Sequence, residues 1–226
     1  MKYLAINKTR INNWLLVILI VFSQQSHGDA FEMGMASLKA GDFAEAYCLW
    51  RPLAMRGHVE AAFHLGWLYA NGNGLRVDIP KAVYWWGQAA KHGHKDAMFA
   101  LALAYTNGEG IKKDDQEATR WYVKAAQNGH DDAREILKLK IRDRADEIQP
   151  YLSDLLKQPW VGEEIEIGAG EVNLRGGPGI DQPLVGKGVQ GERYIAVHHV
   201  GKWYQIIKQE NLSYAWVADW LVNRAP

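Results

Sequence analysis

The sequence holds a single cysteine, Cys48, in 226 residues. That excludes an internal disulfide and a cysteine-rich metal site. Neither sign of charge is in excess, with 26 Lys and Arg against 26 Asp and Glu, so no electrostatic feature points to nucleic acid as a partner. Nucleophile elbow, zinc-protease motif, phosphate-binding loop and dinucleotide fingerprint are all missing, and each would be needed for its chemistry. With 48% apolar and 23% charged residues, the composition also excludes long disorder, collagen and a multi-span membrane protein. What stands out is 10 tryptophans and 22 glycines.

The first ten residues carry Lys2, Lys8 and Arg10 and no acid. Trp14–Phe22 follows as a nine-residue apolar run, too short to span about 30 Å of hydrocarbon. Small and polar residues come next, from Ser23 to Ala30. This order predicts a secretory signal peptide over residues 1–28, cut after Gly28 or Ala30, and hence a periplasmic protein with no integral span after cleavage. Its removal leaves 23 basic against 26 acidic residues, a net of −3. Cys48 lies in an alanine-rich helical stretch and is expected to be a buried, inert thiol.

Glu60–Lys95 laid over Asp96–Asp131 without gaps gives 14 identities in 36 positions. Ala61, Phe63, Leu65, Tyr69, Asn71, Gly72, Gly74 and Asp78 recur at Ala97, Phe99, Leu101, Tyr105, Asn107, Gly108, Gly110 and Asp114. Ala82, Trp85, Ala89, Ala90, Gly93 and His94 recur at Ala118, Trp121, Ala125, Ala126, Gly129 and His130. A partial copy at Asp42, Ala46, Trp50, Ala54, Gly57 and His58 keeps the same phase, and another begins at Asp132.

Each unit reads as two helices. Ala61, Leu65, Leu68 and Tyr69 share one face, and the Asn71–Gly74 glycines end that helix. Asp78 and Asp114 are placed to cap the second helix, while Asp42-x-x-Glu45 and Asp114-x-x-Glu117 have the spacing of capping boxes. One hairpin cannot bury its apolar face alone, so copies must stack. His58, His94 and His130 fall one per unit, about 10 Å apart when stacked, too far for shared zinc ligation at about 2.1 Å. A structural role is expected for them, and no metal.

Leu65-Gly66-x-x-Tyr69, Asn71-Gly72-x-Gly74, Asp78-x-x-Lys81-Ala82 and Trp85-Trp86-x-x-Ala89-Ala90-x-x-Gly93-His94 resemble the Sel-one-like repeat, a family related to tetratricopeptide repeats. The resemblance covers residues 31–137 and implies an α-α superhelical solenoid that binds proteins. Ala102 stands where the repeat has glycine after Leu101. His64 and Trp67 fall at positions whose counterparts, Ala100 and Leu103, differ. Variation on the first helices of a solenoid marks binding, so both are candidate partner-binding residues.

Residues 138–160 read as a capping helix and linker. Beyond them the periodicity changes from 3.6 to 2, with short alternating strands broken by Gly and Pro, the pattern of a small barrel. Glu163, Glu164 and Glu166 are expected at a solvated strand edge. Val172-Asn173-Leu174-Arg175-Gly176-Gly177-Pro178, then Trp203-Tyr204-Gln205-Ile206 and Ala215-Trp216-Val217, resemble a bacterial SH3-like (SH3b) domain over residues 161–223. That resemblance implies a small all-β barrel whose ligand is peptidoglycan or an envelope protein. It makes Asn173, Arg175, Trp203 and Trp216 the candidate contacts.

The sequence thus predicts a non-enzymatic exported adaptor in the bacterial cell envelope, without cofactor. A runner-up is an inhibitor or immunity protein that blocks an envelope-acting hydrolase.

Overall fold

The computed structural model describes residues 30–143, 145–208 and 211–224, with the backbone alone for 145–149. The expected signal peptide lies outside the described residues. The chain divides between Asp114 and Asp115 into two compact units.

In the first unit the chain is helical through residues 30–40 (α1). Then come α2 (Phe43–Met55), α3 (Val59–Asn71), α4 (Ile79–Lys91) and α5 (Lys95–Asn107). Each helix from α2 to α5 packs on its neighbour in sequence. The buried layer is alanine and leucine, with Ala46, Ala61, Leu65, Leu68, Ala82, Ala89 and Ala97 all fully covered. Small side chains let the helix backbones come close, and Trp50, itself fully buried, fills the remaining space.

Glycine sets where the helices stop and how the hairpins stack. Gly72 and Gly108 close α3 and α5 in the left-handed conformation, at φ 68° and 74°. Two residues further on, Gly74 lies so near Phe43 that a Cβ would meet the Phe43 Cβ at 2.7 Å. Gly110 stands in the same way over Ile79. In each repeat the loop after the first helix therefore rests on the start of the preceding second helix, which no larger residue permits.

Asp78 caps α4 by accepting the Lys81 N–H. Asp42 does not complete the expected capping box: its side chain makes no cap bond, and the Glu45 carboxylate accepts the Ser37 hydroxyl instead. Cys48 is exposed and not buried. It sits two residues after the fully buried Ala46, on the opposite side of the helix.

The second unit comprises α6 (Asp115–Gln127), α7 (Asp131–Asp143) and α8 (Ala145–Leu155), followed by a sheet. The strands are β1 (Glu163–Ile167), β2 (Glu171–Arg175), β3 (Leu184–Val189), β4 (Arg193–Val200), β5 (Trp203–Lys208), β6 (Ser213–Ala218) and β7 (Val222–Arg224). They form one seven-stranded sheet in the order β3-β2-β6-β5-β4-β1-β7. Every pairing is antiparallel.

Alternate residues point to one core of Ile165, Ile167, Val172, Leu174, Tyr194, Ala196, Ile206, Ala215 and Val217, the period-2 signature of a half-buried sheet. The β1 carboxylates are not simply solvated: Glu164 and Glu166 both reach Arg193, and Glu163 reaches Arg224 at 3.4 Å. Exposed pairs of this kind contribute about 0–1 kcal/mol each.

Of these helices, α7 ends on the sheet. The Tyr214 hydroxyl donates to the Ile141 carbonyl at 2.5 Å, and the Gln205 amide donates to the Arg142 carbonyl at 3.4 Å. Both carbonyls belong to the last turn of α7, so these bonds tie the end of that helix to the sheet.

Candidate functional site

In the first unit the site residues lie on α3. Trp67 is 37% exposed, and Leu103, its counterpart on α5, is 38% exposed. Each repeat therefore presents a large apolar side chain at the same position. Asn71 donates to the Trp67 carbonyl at 2.8 Å and holds the last turn of α3.

His64, one turn earlier, is half-buried in an aromatic layer rather than free on a surface. Its ring stacks on Trp50 at 4.8 Å and meets Phe31 and Phe63 at 5.8 and 5.4 Å. Burial pushes its pKa below 6.5, against the opposing pull of the Glu60 carboxylate.

The recurring histidines have a definite task. His58, His94 and His130 are the residues just before α3, α5 and α7, and each accepts a backbone N–H through Nδ1. The partners are Ala61 at 3.2 Å, Ala97 at 3.2 Å and Ala133 at 3.3 Å. Because Nδ1 accepts, the neutral ring must carry its proton on Nε2, and in His94 that nitrogen donates to Glu60 at 3.1 Å. Among the described residues no group of three or more His, Cys, Asp or Glu side chains could hold a metal ion.

In the second unit, strand register gathers the other candidates. Arg175 pairs with Trp216, Trp216 with Gln205, and Gln205 with His198. Directly opposed residues share a face, so these four form a row across β2, β6, β5 and β4. Alternation brings Asn173 and Trp203 to the same side. All four expected contacts therefore stand on the face opposite the core, the face that also meets the end of α7.

Arg175 donates from Nη1 to the Gln182 carbonyl at 2.7 Å, tying down the 176–183 loop. Trp216 is half-buried, with His198 edge-on to its ring at 6.3 Å. Gln205 is 7% exposed, and its Oε1 has no partner among the described residues.

One residue escaped the sequence reading. Trp220, in the 3-10 turn Asp219–Leu221 between β6 and β7, is 61% exposed and stands edge-on to Trp203 at 6.0 Å. The available signal was an indole placed outside any alternating strand.

Paired helices of fixed length, joined by glycine loops and repeated in register, define a helical-repeat scaffold protein. Specifically, residues 59–94 and 95–130 are Sel1 repeats, and such repeats often mediate protein–protein interaction. No curated protein matches the sequence.

Several solved structures are similar. A protective antigen of uropathogenic Escherichia coli that displays an SLR fold is 27% identical, with 54% of this chain and 28% of that one covered at a TM-score of 0.49. A Sel1 repeat protein from Oxalobacter formigenes is 30% identical, with 55% and 96% covered at a TM-score of 0.48. The Helicobacter pylori cysteine-rich protein B is 21% identical, with 50% and 91% covered at a TM-score of 0.44. The chain thus spans little more than a quarter of the first of these and nearly all of the other two.

Proposed function

We propose that this protein is an exported, non-enzymatic adaptor of the bacterial cell envelope. In this reading the Sel1 repeats hold a protein partner, and an SH3-like β unit associates with peptidoglycan. The observation that carries it is the paired exposure of Trp67 and Leu103 at matching positions of α3 and α5. A large indole at a partly open, repeat-variable position is the usual anchor of a protein interface.

The SH3-like assignment of the sheet is supported by its all-antiparallel order and by the short 3-10 turn before the last strand. Two recognition surfaces on one chain raise the effective concentration of their ligands for each other.

Cosedimentation of the full mature chain with purified peptidoglycan tests the second surface. The wild type should pellet and the Trp203→Ala/Trp216→Ala variant should remain soluble. If the wild type stays in the supernatant, the peptidoglycan ligand is wrong and blockade of an envelope-acting hydrolase becomes the better reading. Trp67→Ala tests the first surface, and unchanged partner affinity with unchanged stability would sink it. Hydrolysis of wall polymer by the purified chain would overturn the non-enzymatic reading.

A further inference from the structure

We propose that the first unit carries an acid-operated release built from its two helix-capping histidines. His58 holds the start of α3 and His94 the start of α5, each through a lone pair on Nδ1. A protonated imidazole is a donor at both nitrogens and accepts nothing. Neither ring can therefore take up a proton and keep its cap. Asp78, which caps α4, stays an acceptor to far lower pH, so within the first unit the acid response is confined to α3 and α5.

The caps are connected through aromatic rings. Phe31 of α1 stacks on His58 at 5.0 Å and meets His64 at 5.8 Å. Phe63 of α3 stacks on His94 at 4.3 Å and meets His64 at 5.4 Å. Trp50 of α2 closes the layer against His64. Disturbing either cap shifts a ring that leans on His64, and through it on α1, α2 and α3.

The charged groups facing this layer set the direction. Glu60 of α3 bonds His94 Nε2 at 3.1 Å and lies within electrostatic reach of His64. Phe31 lies against the His58 ring. With Nε2 already committed to Glu60, a second proton on His94 has one place to go. The free site is Nδ1, already aimed at the Ala97 N–H, so attraction there turns to repulsion between two donors. His94 in its charged form also opposes any charge on His64, which faces it. The neutral state is thus closed, with both helices capped. In the acid state both caps are withdrawn, and Glu60 is left as counterion to a displaced His94.

Amide hydrogen exchange on the full chain at pH 7.5 and pH 5.0 reads this directly. The protection factors of the Ala61 and Ala97 amides should fall about fivefold or more on acidification, the size of one lost cap. His58→Asn/His94→Asn supplies a cap that does not titrate, so its protection at these amides should be the same at both pH values. A fall in the Asn variant equal to that of the wild type overturns the proposal. His58→Ala/His94→Ala should already show the lowered protection at pH 7.5. Wild-type protection there would mean that the histidines do not cap, which also overturns it.

Discussion

A Cβ on Gly66 would stand 2.4 Å from Cδ1 and 2.5 Å from Nε1 of Trp86, so the indole lies against bare backbone of α3. The Ala82 carbonyl at 3.1 Å closes the other side. The second repeat carries Ala102 and Tyr122 at the matching positions: a methyl has been added where the facing ring is smaller.

Gly66→Ala is accordingly expected to destabilise. Alanine gains about 1 kcal/mol in helix propensity, but overpacking against a held indole costs about 1–3 kcal/mol. Gly66→Ala/Trp86→Tyr should recover part of the loss, since it copies the second repeat. Denaturant melts of the two single variants and the double variant form a cycle; strictly additive effects would refute the pairing.

Tyr214 gives a second test. Burial pushes its pKa up to about 12, so its hydroxyl stays protonated and keeps donating to Ile141. A raised pKa places this contribution to stability below pH 10, with progressive loss as pH rises toward 12. An alkaline spectrophotometric titration should show late-ionising tyrosine, because Tyr69 is also pushed to about 12, first by burial. Tyr214→Phe should remove one late step, delete the bond to the Ile141 carbonyl and cost about 0.5–1.5 kcal/mol.

His64 works at the other end of the scale. Its lowered pKa means that the neutral ring is favoured in the fold. The associated stability is complete above pH 6.5 and is lost as pH falls through the lower folded value. His64→Phe keeps an aromatic ring between Trp50 and Phe63 without the proton. Its melting temperature should drop less than that of the wild type between pH 6.5 and pH 5, and an identical drop would assign the acid sensitivity elsewhere.

The sheet should not be fully stable alone. Ile207 is fully buried, as are Ile141, Leu152 and Leu155 of the helices in the same unit. Residues 161–226 expressed without α6–α8 should melt well below residues 115–226 and bind a dye specific for exposed apolar surface. Equal melting temperatures would show that the helices contribute nothing.

Much of the fold was legible because it is local. The 36-residue register marked two helices per repeat, as found, and the recurring glycines at 72, 74, 108 and 110 all proved to be stops or close approaches. Cys48 was readable too, had its phase against Ala46 and Trp50 been followed. The histidine caps were harder, since histidine is a poor statistical indicator of a helix start and only the Nδ1 geometry reveals the task. Nothing in the sequence announced that Tyr214 and Gln205 would reach α7. That contact joins residues far apart in the chain, with no spacing rule to betray it. The row of Arg175, Trp216, Gln205 and His198 depends likewise on register, which alternation alone leaves open.

The last turn of α7 is finished by side chains that lie 63 and 73 positions further along the chain. Those two bonds cannot form until β5 and β6 are in place. The closing step of α7 is a long-range one, paid for in loop entropy. The helical repeats before it close mainly by contacts with the next helix in sequence. Contact range thus differs along the chain, local in the repeats and long at the α7 terminus.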